Sequence, residues 1–476
     1  MISLVNVPSK YPFINITTPP VGLGYICSYL QSKNIDAEIY DLGIFPISIA
    51  KAVDLILQQK PEIVGFTCYS QNYFIIRKFC ELIKKKSPDT LTVIGGPAPS
   101  FAYDDILNDT KFIDICVRGE GEKSLYEIYK ALNGSFENFH NIKGIVFMDN
   151  DEIVITPKRP LIANLDEVPS PYLSNVFDIK YYNHASISTS RGCPMKCIYC
   201  VCGAMFGSVR FHSPQRVLDE IDFLYESNQK LQWSKYNFLF DFTDDTFTFS
   251  KKHVNAILDG LEERNYDISW AAATRITDID EDLLLRMKNL GLKLINFGLE
   301  SADPYILKVL QKVKSNENNL EQEKLFLKKF NEITSFCQKI GIEVFISYII
   351  GNPFESKQMA KKTIDFCKKL EKQYGAKYIP NFLNPFKGTN IYENSEKYNM
   401  IIEKDPEFLL PYFIKKYSDI SVDELINIFP YDHKFFIYDE IYNRSLMIFK
   451  KVNPKTLYSS KLEYKKFLNK KLLERN

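Results

Sequence analysis

The chain has 476 residues, 45% hydrophobic and 25% charged, an ordinary globular balance with material for roughly two to four domains. Sixty Lys and Arg stand against 59 Asp and Glu, so the net charge is +1 and no whole-chain field favours nucleic acid or a membrane surface. No apolar run reaches the roughly 18 residues that a membrane-spanning helix needs. MISLVNVPSK lacks the basic start of a secretory leader and reads as a strand.

Residues 1–133 alternate apolar runs (ISLVNV, AEIY, EIVGFTC, LTVIGG, DICVRG) with helical patterns such as GLGYICSYLQ and YFIIRKFCELIKKK. Continuous apolar strands separated by helices predict an α/β, doubly wound, Rossmann-like parallel sheet over 1–140. Such sheets bind ligands at the carboxyl ends of their strands. Those ends carry CYSQN (68–72), GGPAP (95–99) and RGEGE (118–122). Ser70, Gly95, Gly96, Gly119, Glu120 and Gly121 are therefore candidate ligand contacts, the glycines admitting close backbone approach. Ordinary turn chemistry would select the same residue types.

A connector spans 141–180, with a hairpin pattern (GIVFMDNDEIVI) and then NLDEVPSPYL, whose prolines favour extended chain. A second domain spans 181–395. Its strand candidates are ASISTS, YNFLFDF, ISWAAATR, KLINFGLE, EVFISYIIG and KYIPNFL, and helices follow the first five. One helix starts at Ser213-Pro214, a cap followed by proline at the first helical position, with apolar residues at 217, 218, 221 and 224. Six βα repeats predict a parallel, partly closed (β/α)6 barrel of the TIM type, with its active site at the C-terminal strand ends. Residues 396–476 read as a helical, aromatic segment (LLPYFIKKY, FPYDHKFFIYDEIY) that packs the last helices and ends in a basic, solvated face.

Six of the ten cysteines, Cys27, Cys68, Cys80, Cys116, Cys337 and Cys367, are scattered through apolar segments, the usage of a reduced, cytoplasmic protein. Three more crowd into RGCPMKCIYC (191–200) as Cys193, Cys197 and Cys200. Structural zinc takes four Cys or His ligands. A second C-x-x-C pair is absent, and the five histidines (140, 184, 212, 253, 433) fall at no partner spacing. Three thiolates can instead hold three irons of a cubane iron–sulfur cluster and leave the fourth iron open to an outside ligand. Cys202 breaks the spacing and reads as structural.

This C-x-x-x-C-x-x-C loop on the first strand of a six-fold βα barrel, with Tyr199 before the third cysteine, resembles the radical S-adenosylmethionine superfamily. The resemblance implies a 4Fe-4S cluster on Cys193, Cys197 and Cys200 that chelates S-adenosylmethionine through its amino and carboxylate groups. It implies reductive cleavage to a 5′-deoxyadenosyl radical, fed by a flavodoxin or ferredoxin-type electron donor. On the same grounds FTDDTF (242–247) offers Asp244 and Asp245 to the methionine ammonium. Arg275 suits the carboxylate, as a fork of donors does. FGLES (297–301) offers Glu300 to the ribose hydroxyls or the sulfonium region, IIGNPFES (349–356) offers Gly351 to the adenine, and NPFKGT (384–389) resembles the family's last strand and turn. Surface ion pairs and helix caps are the bland alternative for each charged residue.

Upstream, GGPAP, VRGEGE and NLDEVPSPYL resemble the cobalamin-binding branch of that superfamily, so the likeness covers about residues 1–395. One departure is plain. An Asp-x-His-x-x-Gly loop after the first strand is replaced by PSKYPFINITTPPVG, and the first histidine of the chain is His140. The implied cobalamin is bound without a protein histidine as lower ligand. The expected function is a cobalamin-dependent methyltransferase acting on an unactivated carbon of a small-molecule or peptide substrate. One S-adenosylmethionine would remethylate cobalamin and another would generate the radical. Radical-mediated oxidative cyclisation or rearrangement is one alternative. A non-catalytic cobalamin or cluster-based sensor is another.

Overall fold

The computed structural model describes residues 1–7, 18–44, 47–132, 136–234, 239–314, 319–400, 402–404 and 411–414. The N-terminal strands are β1 (Ile2–Asn6), β2 (Ala37–Asp41), β3 (Ile63–Thr67), β4 (Leu91–Gly95), β5 (Ile115–Val117), β6 (Ile145–Asp149) and β7 (Glu152–Ile155). They form one sheet in the order β2-β1-β3-β4-β5-β6-β7. The pairings from β2 through β5 are parallel, as the apolar runs predict. The strand order reverses between β1 and β3, which opens a crevice at their carboxyl ends.

The hairpin expected in the connector adds to this sheet. β6 pairs antiparallel with β5, and β7 with β6, so the sheet continues past residue 140 to Ile155. Asn150 and Asp151 both have positive φ, the two-residue turn whose twist matches the flanking strands. Helices Ile49–Gln58 and Tyr73–Lys86 bury one face of the sheet, and Val21–Ser32 and Glu122–Ala131 the other.

In the second half lie β8 (Ala185–Ile187), β9 (Ser190–Arg191), β10 (Arg210–Phe211), β11 (Phe240–Phe242), β12 (Trp270–Thr274), β13 (Leu292–Glu300), β14 (Glu343–Ile350) and β15 (Lys377–Phe382). The order β15-β14-β13-β12-β11-β8 is parallel throughout, and all six strands expected for the open barrel are present. β8 and β15 are the two ends of that order, so the barrel is not closed by hydrogen bonds between described residues. β9 and β10 form a separate antiparallel pair. The helix at Ser213-Pro214 runs Pro214–Leu231. Ser213 accepts from Arg216 N at 3.3 Å, and Val217, Leu218, Ile221 and Leu224 are buried as their spacing requires. Among the described residues no helix is long and apolar enough to cross a membrane.

Of the helical segment expected over 396–476, only residues 396–400, 402–404 and 411–414 lie among the described residues. A 3-10 turn (Ser395–Tyr398) stops at Asn399, whose φ is positive. β16 (Ile402–Lys404) and β17 (Pro411–Ile414) then pair antiparallel, since isoleucine and aromatic residues suit a strand. Residues 415–476, with most of the aromatic run and the basic tail, lie outside the described residues.

The halves meet over a packed seam. Ser28 Oγ donates to Pro169 O at 2.7 Å, and Tyr182 Oη donates to Asp41 Oδ2 at 3.1 Å. Gly24 lets its helix lie against Phe177 and Pro171, where any side chain would collide.

Candidate active site

The cysteine loop leaves β9 through Gly192, whose φ is +100° and whose missing Cβ would collide with Ser208 O. Between Cys197 and Cys200 the chain turns, with Cys200 N donating to Cys197 O at 3.1 Å. Ile198 is fully buried. Its N donates to Leu310 O at 3.1 Å and its O accepts from Ile391 N at 2.9 Å. The Cys197 thiol faces Gln311 O at 3.8 Å. Cys193, Cys197 and Cys200 are all half-buried.

Burial raises the Cys193 thiol and pushes Cys200 up to about 11, and the neighbouring Cys197 adds to both. Backbone N–H groups of Cys202 and Gly203 work in the opposite direction on Cys200. Burial thus favours the protonated thiols of Cys193 and Cys200, and a metal must displace those protons to bind. Among the described residues no three His, Cys, Asp or Glu side chains converge on a single metal ion. A cubane does not require that, because each thiolate binds a different iron. Three thiols on one anchored loop, mutually within electrostatic range and part-open to solvent, fit such a cluster.

Four strand ends surround the loop. Asp245, beyond β11, is exposed, accepts from Cys202 Sγ at 2.8 Å and acts on Cys193 and Cys200. Asp244 has a different task. It is buried and accepts from Thr189 N at 3.2 Å, from Thr189 Oγ1 at 2.9 Å and from Ser190 Oγ. Those bonds tie β11 to the exit of β8, while burial pushes its carboxyl up to about 6. Three of the acceptor positions on Asp244 are thus used within the protein, whereas the neighbouring Asp245 is exposed beside the cysteines. Cys202 is buried against Asp245, as a structural cysteine should be.

Arg275, at the end of β12, lowers Cys193 by its charge, donates to Lys312 O at 3.0 Å and leaves Nε without a partner. Glu300 closes β13 at positive φ beside a bulge, an uncommon conformation for a side-chain-bearing residue. Its carboxylate bonds Lys312 Nζ at 3.0 Å and the Tyr199 hydroxyl. Gly298 makes room for this pair, since a Cβ there would collide with both Glu300 Oε1 and Lys312 Nζ. Gly351 ends β14 at φ +82°, and its N–H is held by Glu355 Oε2 at 2.7 Å. Glu355 also accepts from Asn352 N at 3.1 Å and from its side chain at 3.2 Å. Burial outweighs these bonds and pushes Glu355 up to about 7. Sequence reasoning singled out neither Lys312 nor Gly298 nor Glu355. Only Gly298 had a signal there, a glycine two places before Glu300 in FGLES.

The N-terminal strand ends are less uniform than their motifs. The loop with Ser70 is fixed by Asn72, which accepts from Tyr69 N at 2.8 Å and donates to Val7 O and Thr67 O, both at 3.1 Å. Gly95 O accepts from Cys68 N at 2.7 Å, and a Cβ on Gly96 would press on Cys68 O at 2.9 Å, so Gly96 serves packing between strand exits. Gly121 lies against Ile26 in the same manner. Glu120 is buried and engaged by Arg191, Arg210 and Ile162 N, and it borders the same cavity as Gly119. Gly119 differs: its φ is +81° and nothing lies within 4 Å of where a Cβ would be. It lines a cavity of about 390 Å³ with Phe101, Tyr103 and Arg118 from its own half and Met205 and Lys387 from the other. Open space at Gly119 and the exposed Tyr69 ring at the end of β3 fit a large planar cofactor lying over these strand ends.

Comparison with known proteins agrees with both halves. The profile of the B12 binding domain matches residues 14–129, and that of the Radical SAM superfamily matches 187–367. An uncharacterized methyltransferase of Pyrococcus horikoshii, PH0819, is 30% identical over 395 residues, covering 82% of this chain and 81% of that one. The chain belongs to the cobalamin-binding branch of the radical S-adenosylmethionine superfamily. An anaerobic magnesium-protoporphyrin IX monomethyl ester cyclase of Rubrivivax gelatinosus is 28% identical over 68% of this chain, which spans 59% of the cyclase. In fold the chain is like the radical S-adenosylmethionine methyltransferase TsrM of Kitasatospora setae, solved with cobalamin and a [4Fe-4S] cluster. The TM-score is 0.66 at 18% identity, over 84% of this chain and 75% of that one. This enzyme of the family binds S-adenosylmethionine, a 4Fe-4S cluster and cobalamin.

Anaerobically reconstituted protein is expected to hold about four irons and four sulfides per chain. Cys193→Ala, Cys197→Ala and Cys200→Ala should each lose the cluster, and Cys202→Ala should keep it, as read by iron analysis and the visible spectrum. Unchanged iron in the first three variants would overturn the assignment.

Glu355 sets a pH dependence. Its folded-state pKa, about 7, lies above its ordinary value of 4.5, so the folded state binds the extra proton. The associated stability is present in full below about pH 4.5 and is lost as pH rises through about 7, by up to roughly 1.4 kcal/mol per pH unit. Denaturant midpoints for Glu355→Gln between pH 5 and 8 should show a flatter profile than wild type, and equal slopes would refute the cause.

Proposed function

We propose that this enzyme methylates an unactivated carbon of a small-molecule or peptide substrate. The observation that carries this reading is the docking of an open-ended cobalamin-type sheet directly on the base of a three-thiol loop. The methyltransferase name of the relative from Pyrococcus horikoshii supports it. When bound, the cluster supplies the electron that cleaves S-adenosylmethionine, and cobalamin supplies the methyl group.

The chain's own residues bind and orient. Cys193, Cys197 and Cys200 would hold the cluster through their thiolates. Asp245 pairs with the methionine ammonium, and the free Nε of Arg275 turns toward the carboxylate. Glu300 is fixed by Lys312 and Tyr199, so its remaining acceptor capacity is aimed where a ribose hydroxyl would sit. The turn at Gly351, held from beneath by Glu355, gives the adenine an edge of backbone. Ser70, Gly95, Gly96, Gly119 and Gly121 would form the rim that holds cobalamin, with open space at Gly119. A flavodoxin or ferredoxin-type protein delivers the electron. The seven buried thiols among the ten cysteines suit a reducing cytoplasm.

A second reading, oxidative cyclisation, is favoured by the likeness to the Rubrivivax cyclase. Co-product stoichiometry separates the two. Methyl transfer with irreversible hydrogen abstraction consumes two S-adenosylmethionines per turnover. 5′-Deoxyadenosine and S-adenosylhomocysteine should then accumulate in equal amounts, with one labelled methyl in the product. Deoxyadenosine alone, with no label transferred, would replace methyl transfer by cyclisation.

Cobalamin is expected to bind without nitrogen ligation from a protein histidine, because residues 1–139 contain none and His140 pairs with Asp149 on the hairpin. Electron paramagnetic resonance of cob(II)alamin in protein carrying isotopically labelled histidine tests this. Superhyperfine splitting from the labelled nitrogen would contradict it.

A further inference from the structure

The cysteine loop hangs from a narrow neck. β9 and β10 are two residues each, with Arg191 directly opposite Arg210 and Ser190 opposite Phe211. Residues 192–209, all three cysteines among them, lie between these strands. Like charges directly opposed across an antiparallel pair repel. Both guanidinium groups are also largely withdrawn from water, with only 12% and 11% of their side chains exposed. Two backbone pairings do not hold such a neck closed against buried like charge.

The counter-charge comes from the other half of the molecule. Glu120, in the loop that leaves β5, accepts from Arg191 Nη1 at 3.0 Å and from Arg210 Nη1 at 2.9 and 3.1 Å. Ile162 N holds its second oxygen at 2.7 Å. Glu122 pairs with Arg191 Nη2 at 2.8 Å. Two arginines from the neck and two glutamates from the loop and helix that follow β5 thus form one neutral, buried cluster. Rings seat the cations: Arg191 lies over Tyr25 at 4.9 Å, and Arg210 over Phe206, which belongs to the helix that follows Cys200.

We propose that Glu120 is a positioning residue that closes the neck of the cysteine loop, so that the loop keeps its cluster-holding shape only while the N-terminal sheet is docked. It touches neither cluster nor substrate and acts through Arg191 and Arg210. Cluster retention and docking of the cobalamin half are then a single equilibrium. A disturbance at the exit of β5, where cobalamin is expected to lie, is transmitted to the cysteines through one carboxylate.

The inference rests on the loop being the cluster's holder, and the test reads the neck with and without that premise. Reconstituted full-length protein is mixed anaerobically with a ferrous chelator, and iron release is followed without S-adenosylmethionine or substrate. Glu120→Ala should release iron about tenfold faster than wild type, as uncompensated buried charge demands. Arg210→Met removes the opposed charge and leaves Arg191 paired with Glu122. The double variant should return to within about twofold of wild type. Such rescue is foreign to a merely structural loss, in which the two changes would add. The same cycle is read on thermal midpoints of the cluster-free protein, where rescue of Glu120→Ala by Arg210→Met supports the neck even if the cluster assignment fails. An iron release rate unchanged in Glu120→Ala, or one as fast in the double variant as in the single, overturns the proposal. If Glu120→Ala does not yield folded protein, Glu120→Gln, which keeps the shape and removes the charge, carries the same comparison.

Discussion

The two backbone hydrogen bonds of Ile198 are the constraint on which the site depends. A loop that must present three thiols cannot pair its own backbone as a helix or strand would, so its polar groups must be satisfied from outside. Ile198 N reaches back to Leu310 O, beyond β13, and its O takes Ile391 N, beyond β15. Its side chain is buried with Ile306, Leu310, Ile349 and Leu383, a burial that contributes roughly 1.5–3 kcal/mol. The middle of the loop is thereby nailed to the barrel, and Cys197 and Cys200 on either side inherit a fixed geometry.

Residues 310–312 carry a second consequence of that anchoring. Leu310 O holds the loop, Gln311 O faces Cys197, and Lys312 O takes Arg275 while its ammonium meets Glu300. A buried ion pair of this kind is weak evidence for stability, because desolvation offsets much of the attraction. Its value here is geometric. Lys312 and Tyr199 leave the Glu300 carboxylate one orientation, at a backbone conformation that costs of order 1–3 kcal/mol. Strain at this point is tolerated because three strand ends and the loop determine it together.

Elements that repeat a local pattern were legible in the sequence. The six parallel barrel strands and the capped helix at Ser213 follow from apolar spacing and cap chemistry. What sequence could not separate were neighbours with the same chemistry and different surroundings. Asp244 and Asp245 are adjacent carboxylates at one strand end. Thr189 and Ser190, distant in sequence, bury the first and leave the second to the cysteines. Gly96 and Gly119 both have positive φ after a strand, but Cys68 backbone fills the space beside the first and nothing fills the space beside the second. The ion pairs of Glu120 had no sequence signal, because Arg191 and Arg210 lie on a strand pair too short to announce itself. Lys312 had no signal at all, since its role depends on a contact across the bulge in β13.

The open seam of the barrel explains why the N-terminal half belongs where it is. Among the described residues β8 and β15 are the ends of the six-stranded order and have no outer partner, and such strand edges call for cover. The N-terminal half reaches both sides of that gap. Beside β8, Tyr182 meets Asp41 and Arg191 meets Glu120. Beyond β15, Lys387 pairs with Asp104 at 2.6 Å and Asp105 at 3.0 Å, and Gly388 lies so close to Phe101 that no side chain would fit. A unit held at both edges cannot drift sideways along the barrel mouth. Its strand ends and the cysteine loop are therefore kept at one separation, which is what two cofactors that act on a common substrate carbon require.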